Sequence, residues 1–414
     1  MDFTSEDTQA LEKLVAYGRE YALNVAGATV RRSSSRLCLG VEHGDYNGTA
    51  LFGVGTDRFI WLAYKPNETD QVRIFSGNFP DEGVIQFTAG KAPAATDANA
   101  DGWERFPYGV DTILAQAGYE LKRGFDAVLF GNIPGGGMSR SASLCLNLIL
   151  TMLEVNELSE EDGFKVVKLA QQVENDYIGS PCGILDQTMI YFAKAGQGTY
   201  YDPAAGTIKY VPLGRDAIDF RFVVMDTGTK RPGLEKSTYK IRRGECEAFL
   251  RTLQGGGFDI QSLADVRDQA MFDRIRQQFG ASHRDGFDRL DYIFHAQQRF
   301  GRMMAAWESG DIETVGKVFR EDGLGLRDTY KISGPELEMM CDIARQVPGV
   351  LGERMLGGGD KGASGAIVKA GAVDDLRWAV GDEYPRKCPE YADAYAVHVC
   401  RQVDGIVVMP EPLK

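Results

Sequence analysis

Three segments of this 414-residue chain gather residue types that can do chemistry together. The first is Pro134-Gly-Gly-Gly-Met-Ser-Arg-Ser-Ala-Ser143, which follows the apolar run AVLF and precedes the apolar run LCLNLIL. Glycines let the backbone curl until its N–H groups converge, and a helix start adds positive partial charge, so the segment suits an anion such as a phosphate. Hydroxyls of Ser139, Ser141 and Ser143 can add contacts to phosphate or metal. The plain alternative is a glycine-rich turn capped by a serine. No GxxxxGK[ST] occurs, which excludes a P-loop, and this segment does not match GxGxxG followed by an acid about twenty residues later, which argues against a dinucleotide site here.

The second segment is Arg36 followed by Glu42-His-Gly-Asp-Tyr-Asn-Gly48, a loop of short polar groups between strand-like runs. Several donors and acceptors on one loop suit a polyhydroxylated ligand, because each hydroxyl needs a partner once it leaves water. Alternatively, Asp45 and Asn47 merely bond their own turn. The third is VENDYIGSPCGILDQ, in which Glu174 and Asp186 flank a loop of small residues. Magnesium takes hard oxygen ligands, and phosphoryl transfer places a carboxylate near the attacking hydroxyl, so these two acids can divide those tasks. A solvated helix face at Glu174 and a helix cap at Asp186 are the structural alternatives.

The elements that must position these segments can be read from periodicity. Leu11, Leu14, Val15 and Ala22 suggest an early helix; RLCLGV, ALFGVGTDRFIWLAY, VRIFS and VIQFT read as strands. A Gly/Ala/Asp-rich linker spans residues 90–102, and a helix is predicted from about Pro107 to Arg123. Strand, glycine loop and helix follow as DAVLFGNIPGGGMSRSASLCLNLILTML; KVVKLAQQVEN and LDQTMIYFAK read as helices, and TYYDP and IKYVPL end this half. From about Phe220 a strand, FRFVVMDTG, opens a half rich in amphipathic helices, with a second glycine cluster, GERMLGGGDKGASGAIVK, between helix and strand.

A chain this long fits two domains, expected here at 1–215 and 216–414. Hydrophobic residues at 43%, charged residues at 25% and a mean hydropathy of -0.25 are those of a folded, water-soluble protein. The formal net charge is -13 and no Lys/Arg block occurs, which argues against nucleic acid or an anionic membrane as partner. The longest apolar stretch, SASLCLNLILTMLEV, is broken by Asn147 and falls short of the roughly 18–20 residues a membrane span needs. The start, MDFTSEDTQALEKL, is acidic and polar where a secretory signal is basic and then apolar, so the expected location is cytoplasmic. Seven scattered cysteines without a CxxC pair are expected to be reduced thiols.

Taken in order, the segments resemble the galactokinases, a family of GHMP small-molecule kinases. The family's RVNLIGEHTDYNGG is similar to RLCLGVEHGDYNG, PLGGGLSSSAS to PGGGMSRSAS, AEN with NCGIMDQ to VENDYIGSPCGILDQ, and RMTGGGFGGC to RMLGGGDKGA. Trp103-Glu-Arg-Phe106 resembles the family's WxxY, TYKIRRGECE its EYPVRRRQCE, and LRDTYKISGPELE its LRDDYEVSCPELD. The resemblance implies an α+β fold of two domains, with the active site in the interdomain cleft. It implies ATP and Mg2+ as cofactors, a monosaccharide as partner, phosphorylation at the anomeric hydroxyl, and a monomer or weak homodimer.

Carried over residue by residue, the resemblance gives Asp186 the sugar's hydroxyl proton, to receive or to accommodate electrostatically. It places Arg36 beside Asp186 and the transferring phosphoryl group; with an arginine beside the carboxylate, alignment and charge stabilisation are expected to carry more of the rate than proton abstraction. Ser141 and Glu174 go to magnesium. The loop Gly136, Gly137, Met138, Ser139, Ser141, Ala142 and Ser143 goes to the triphosphate, and Trp103 and Phe106 to the adenine surroundings. Glu42, His43, Asp45, Gly183 and Tyr239 would read the sugar, and Gly357, Gly358 and Gly359 would let the second glycine loop close over it.

Four departures mark a divergent branch: Arg140 for a serine in the phosphate loop, Asp360-Lys361 for Phe-Gly, Asp322-Gly323 for Ser-His, and Ser34-Ser35 for Pro-Gly. Arg140 either adds a phosphate contact or points into solvent. An unpaired Glu42 facing a uronate carboxylate would be unfavourable, so a neutral sugar is expected, galactose first. Other acceptors in view are arabinose, N-acetylgalactosamine and galacturonate, and another class of reading is a non-catalytic sugar and ATP sensor. Ser141-Ala142-Ser143, Glu174, Asp186 and Arg36 all favour catalysis, and EHGDYNG argues against a mevalonate- or homoserine-type acceptor.

Overall fold

The computed structural model describes residues 4–96, 101–213, 218–229, 238–359 and 361–413. The first half runs α1 (Ser5–Glu20), β1 (Thr29–Gly40), β2 (Leu51–Pro66), β3 (Gln71–Ser76), β4 (Val84–Thr88), α2 (Arg105–Gln116) and β5 (Phe125–Gly131). It continues through α3 (Arg140–Val155), α4 (Gly163–Gln172), α5 (Leu185–Tyr191), β6 (Gln197–Asp202) and β7 (Thr207–Pro212). The second half holds β8 (Phe220–Asp226), α6 (Thr238–Gly255), α7 (Gln269–Phe279), α8 (Arg284–Ser309), α9 (Ile312–Gly325) and α10 (Pro335–Arg345). Then come β9 (Val350–Met355), β10 (Ala363–Lys369), α11 (Val373–Lys387), β11 (Ala396–Cys400) and β12 (Ile406–Val408). The mixed helix and strand content is that of an α+β protein.

Two sheets organise these elements. The first orders its strands β12-β1-β2-β5-β3-β4, with β6 on the free half of β2 and β7 beyond it; β3 and β5 are its parallel pair. The second is β11-β8-β10-β9, antiparallel throughout. Residues 220–400 supply every strand of the second sheet, and β12 returns to pair with β1 in the first.

Strand β1 is the polar spine of the first sheet. The sequence reading begins a strand only at RLCLGV, yet residues 30–40 of TVRRSSSRLCLG are all buried. Burial is tolerated because distant partners meet its polar groups. Arg32 Nη1 donates to Asp7 at 2.7 Å, Arg31 reaches Thr151 and Glu154 on α3, and Ser35 shares a hydrogen bond of 3.0 Å with Thr56. Ser34 lies opposite Phe59 but Ser35 opposite Thr56, so two residues of β2 are left out of the pairing. Such a bulge bends the strand, here just before Arg36.

Helix α3 packs its apolar face, including Leu146, Leu148, Ile149 and Met152, into the main core against this sheet. Fully burying each such side chain contributes about 1.5–3 kcal/mol. Three sequence expectations shift. The predicted Pro107–Arg123 helix ends at Gln116, with Gly118 at φ +89° soon after. The second glycine cluster joins two strands, because GERM belongs to β9. The KVVKLAQQVEN helix closes in a π-turn at Val173–Tyr177, which carries Glu174 inward to 5% exposure. The seven cysteines are buried and unbridged, and among the described residues no helix is long and apolar enough to cross a membrane.

Candidate active site

The three sequence segments and the second glycine cluster line one cleft of about 330 Å³. At its centre lies Arg36, 2% exposed at the end of the polar stretch of β1. Its Nε donates to Asp186 Oδ1 at 2.8 Å and Nη2 stands 2.6 Å from the same oxygen, while Nη1 donates to the Gly137 carbonyl at 2.8 Å. Asp186 stands in the first turn of α5, its cap position being Ile184, so it is no helix cap. A third of its side chain remains exposed towards the cleft.

The phosphate-loop candidate runs from β5 to the start of α3. Ser139 has φ +57° and makes no capping bond, so the serine-cap alternative is not realised. Gly136 touches the second cluster backbone to backbone: a Cβ there would lie 2.5 Å from Gly362 Cα, so only glycine permits this approach. Gly136, Gly137, Ser139 and Ser141 line the cleft. Met138, Ala142 and Ser143 do not; all are fully buried, and the Ser143 hydroxyl donates to Ser33 Oγ at 2.8 Å. For Ser143 the expected side-chain contact to phosphate is therefore replaced by one to β1.

Glu174 is no solvated helix face. Ser141 Oγ donates to its Oε1 at 2.6 Å and Gln187 Nε2 to its Oε2 at 2.6 Å, with the Cys182 thiol 3.7 Å away. None of these donors is a cation, and burial pushes its pKa up to about 7. A buried carboxylate beside a hydroxyl and short of positive charge fits a divalent cation that keeps phosphate oxygens and waters as its other ligands. Among the described residues no group of three acidic, His or Cys ligands forms a closed cage.

The polar loop forms the other end. Asp45 accepts from its neighbour Tyr46 N at 3.0 Å and also from Leu185 N at 3.1 Å, so it bonds across to α5 and not only within its own turn. Gly183 packs on it so closely that a Cβ would meet Oδ2 at 1.9 Å. His43 Nδ1 shares a 2.9 Å bond with the Tyr46 hydroxyl, which in turn meets Tyr330 at 2.6 Å; Tyr239 stands 5.4 Å from the imidazole, ring to ring. Glu42 is 2% exposed, its Oε1 accepts the Gly357 N–H at 3.0 Å, and burial raises its pKa.

At the opposite end, Trp103 is buried and stacked 6.4 Å from Phe79, Phe106 is half-buried, and Arg140 stands 5.7 Å over the Phe79 ring. Arg140 lines the cleft, and among the described residues no carboxylate or carbonyl accepts from it. Gly357 and Gly358 line the cleft while Gly359 does not, and Asp360 lies outside the described residues. Sequence reasoning assigned no role to Gln187 or Arg354. Both lie inside quoted motifs, LDQ and RML, which is the signal that points to them.

Residues 107–194 match the GHMP kinases N terminal domain. The Limosilactobacillus fermentum galactokinase is 32% identical over 375 residues, 90% of this chain and 93% of that protein. The chain belongs to the galactokinase family. The Bacillus subtilis galactokinase is likewise 32% identical, over 86% of this chain and 89% of the relative. Among solved structures, Lactococcus lactis galactokinase complexed with galactose superposes with a TM-score of 0.86 at 28% identity, covering 96% of this chain and 99% of that one. Methanococcus jannaschii mevalonate kinase, at 14% identity and a TM-score of 0.63, shares the fold over 91% of this chain and 99% of its own. The galactokinase fold is thus that of the GHMP kinases, with helices and strands in the two sheets described above.

Proposed function

We propose that this member of the galactokinase family transfers the γ-phosphoryl group of ATP to the anomeric hydroxyl of galactose, giving galactose 1-phosphate and ADP. The observation that carries this reading is the double attachment of Arg36, to Asp186 on one side and to the Gly137 carbonyl on the other. One guanidinium thereby joins the sugar end of the cleft to the phosphate loop, where the new O–P bond forms as the bond to ADP breaks. Asp186 receives or accommodates the hydroxyl proton, and Arg36 offsets charge on the transferring group.

Glu42, His43, Asp45, Gly183 and Tyr239 orient the sugar, and the loop residues that line the cleft, Gly136, Gly137, Ser139 and Ser141, take the triphosphate, with Trp103 and Phe106 walling the adenine end. Ser141 and Glu174 would hold Mg2+, which supplies charge neutralisation to the phosphate oxygens when bound. Three carboxylates, Glu42, Asp45 and Asp186, line the sugar end, and this supports a neutral acceptor over galacturonate. Arg140 adds a charged phosphate contact where a serine would offer only a neutral hydroxyl. The domain division near residue 215, with β12 returned to the first sheet, goes with the same reading.

The test is ADP release with MgATP against galactose, arabinose, N-acetylgalactosamine, galacturonate, glucose and mevalonate. Galactose is expected to turn over fastest and galacturonate not at all. Turnover on another acceptor with silence on galactose would replace the substrate, and silence throughout would leave a sensor.

A further inference from the structure

A buried chain of charges ties α9 to the polar loop, and the catalytic reading leaves it unused. Arg354, at the end of β9, is 1% exposed and lies between two carboxylates. Its Nη1 bonds Asp322 of α9, while Nη2 donates to the Cys38 carbonyl at 3.0 Å and stands 3.6 Å from Glu42 Oε1. Asp322, 5% exposed, also accepts from Arg299 Nε at 3.2 Å and from the Tyr292 hydroxyl at 3.3 Å. Next to it, a Cβ on Gly323 would fall 2.5 Å from Arg354 Cβ. The Asp-Gly pair that departs from the family's Ser-His therefore acts on one side chain: Asp322 supplies its counter-charge and Gly323 its space.

We propose that Asp322 is a positioning residue for the acceptor sugar, holding the Arg354 guanidinium off Glu42 so that the Glu42 carboxylate stays open to a sugar hydroxyl. A guanidinium shared by two buried carboxylates settles on the one with which it can make charge-assisted hydrogen bonds. Here that is Asp322, and 3.6 Å to Glu42 exceeds hydrogen-bond length. With the charge at 322 removed, Glu42 is the one other carboxylate paired with Arg354 among the described residues. Arg354 then closes on Glu42 Oε1, which already accepts the Gly357 N–H, and takes up the acceptor capacity left for a sugar hydroxyl. The inference rests on the sugar-binding reading of Glu42.

The decisive experiment compares Asp322→Asn in the wild-type and Glu42→Gln backgrounds by steady-state kinetics. In the wild type, KM for galactose should rise by about tenfold, with kcat and KM for ATP moving by less than about twofold. In the Glu42→Gln background the same change should add nothing, because Arg354 has no carboxylate left to seize. An unchanged galactose KM, an equal rise in the ATP KM, or a galactose effect of full size in both backgrounds overturns the proposal. Gly323→Ala, which crowds Arg354 without altering charge, should give the same galactose-specific rise and serves where Asp322→Asn does not fold. Glu42→Gln alone separates the two levels. If it leaves galactose KM untouched, the sugar reading of Glu42 fails; if it raises KM but the two substitutions multiply, only the Asp322 inference fails.

Discussion

Two carboxylates from one short segment, Glu174 and Asp186, end in opposite electrostatic surroundings. Asp186 is bonded to a buried guanidinium and keeps a third of its side chain exposed. Glu174 is buried among neutral donors, and burial pushes its pKa up to about 7. Their order in the chain does not separate their tasks, but their partners do. On the proposed reading, the acid already given a cation works on the acceptor, and the acid still short of one is where a cation adds most.

Breaking the Asp186 side of this comparison should have the largest effect. Asp186→Asn is expected to lower kcat by at least roughly a hundredfold, with the melting temperature nearly unchanged, since the side chain keeps its shape and is partly exposed. Near-normal turnover in a stopped assay would remove Asp186 from the chemistry. Glu174→Gln should come next, raising the magnesium concentration needed for half-maximal rate by at least about tenfold. The wild-type requirement should also fall as pH rises through about 7, because the metal takes the ionised form. The sign for stability is opposite. A carboxylate whose folded pKa is raised binds its proton more tightly folded than unfolded, so the ligand-free protein loses stability as pH climbs from the ordinary carboxylate range to about 7. Glu174→Gln should abolish that loss in thermal melts, and a pH-independent magnesium requirement would count against the pairing of Glu174 with the metal.

The sugar end sharpens the same contrast, because its acid is compensated from a distance. Glu42→Ala should raise the galactose KM by about tenfold while leaving the ATP KM alone, as expected for binding present in ground and transition states alike. An effect confined to kcat would move Glu42 out of substrate binding.

The segments that make the cleft were legible because phosphate and sugar recognition demand short runs of glycine, hydroxyl and carboxylate. Their orientation was less so. Ser141 and Ser143 are two residues apart on α3, about 200° around the helix, so one faces the cleft and the other β1. Residues 29–35 were not read as strand because their polar groups are satisfied by Asp7, Thr56, Thr151 and Glu154, partners that only the folded chain brings near. Likewise GERM joined β9 through pairing with β10 that local pattern does not reveal. Asp322-Gly323 stood out as a departure, but its meaning depends on Arg354, which reaches it from β9.

Arg140 gives the smallest expected effect and the closest counterpart to Glu174, being a charge of opposite sign that, among the described residues, also lacks an ionic partner. It is half-buried beside the Phe79 ring at the mouth of the phosphate loop, and burial alone pulls its pKa down. A desolvated guanidinium gains most from an anion, and on the proposed reading the nucleotide phosphates are the anions that enter this cleft. Arg140→Ser, which restores the family's residue, should raise the ATP KM by about threefold to tenfold with the galactose KM unchanged. Added salt should narrow the gap between the two proteins, since it screens the contact that only the wild type makes. An ATP KM that stays constant in the variant at every salt concentration would mean that the Phe79 ring, and not a phosphate, is what the guanidinium serves.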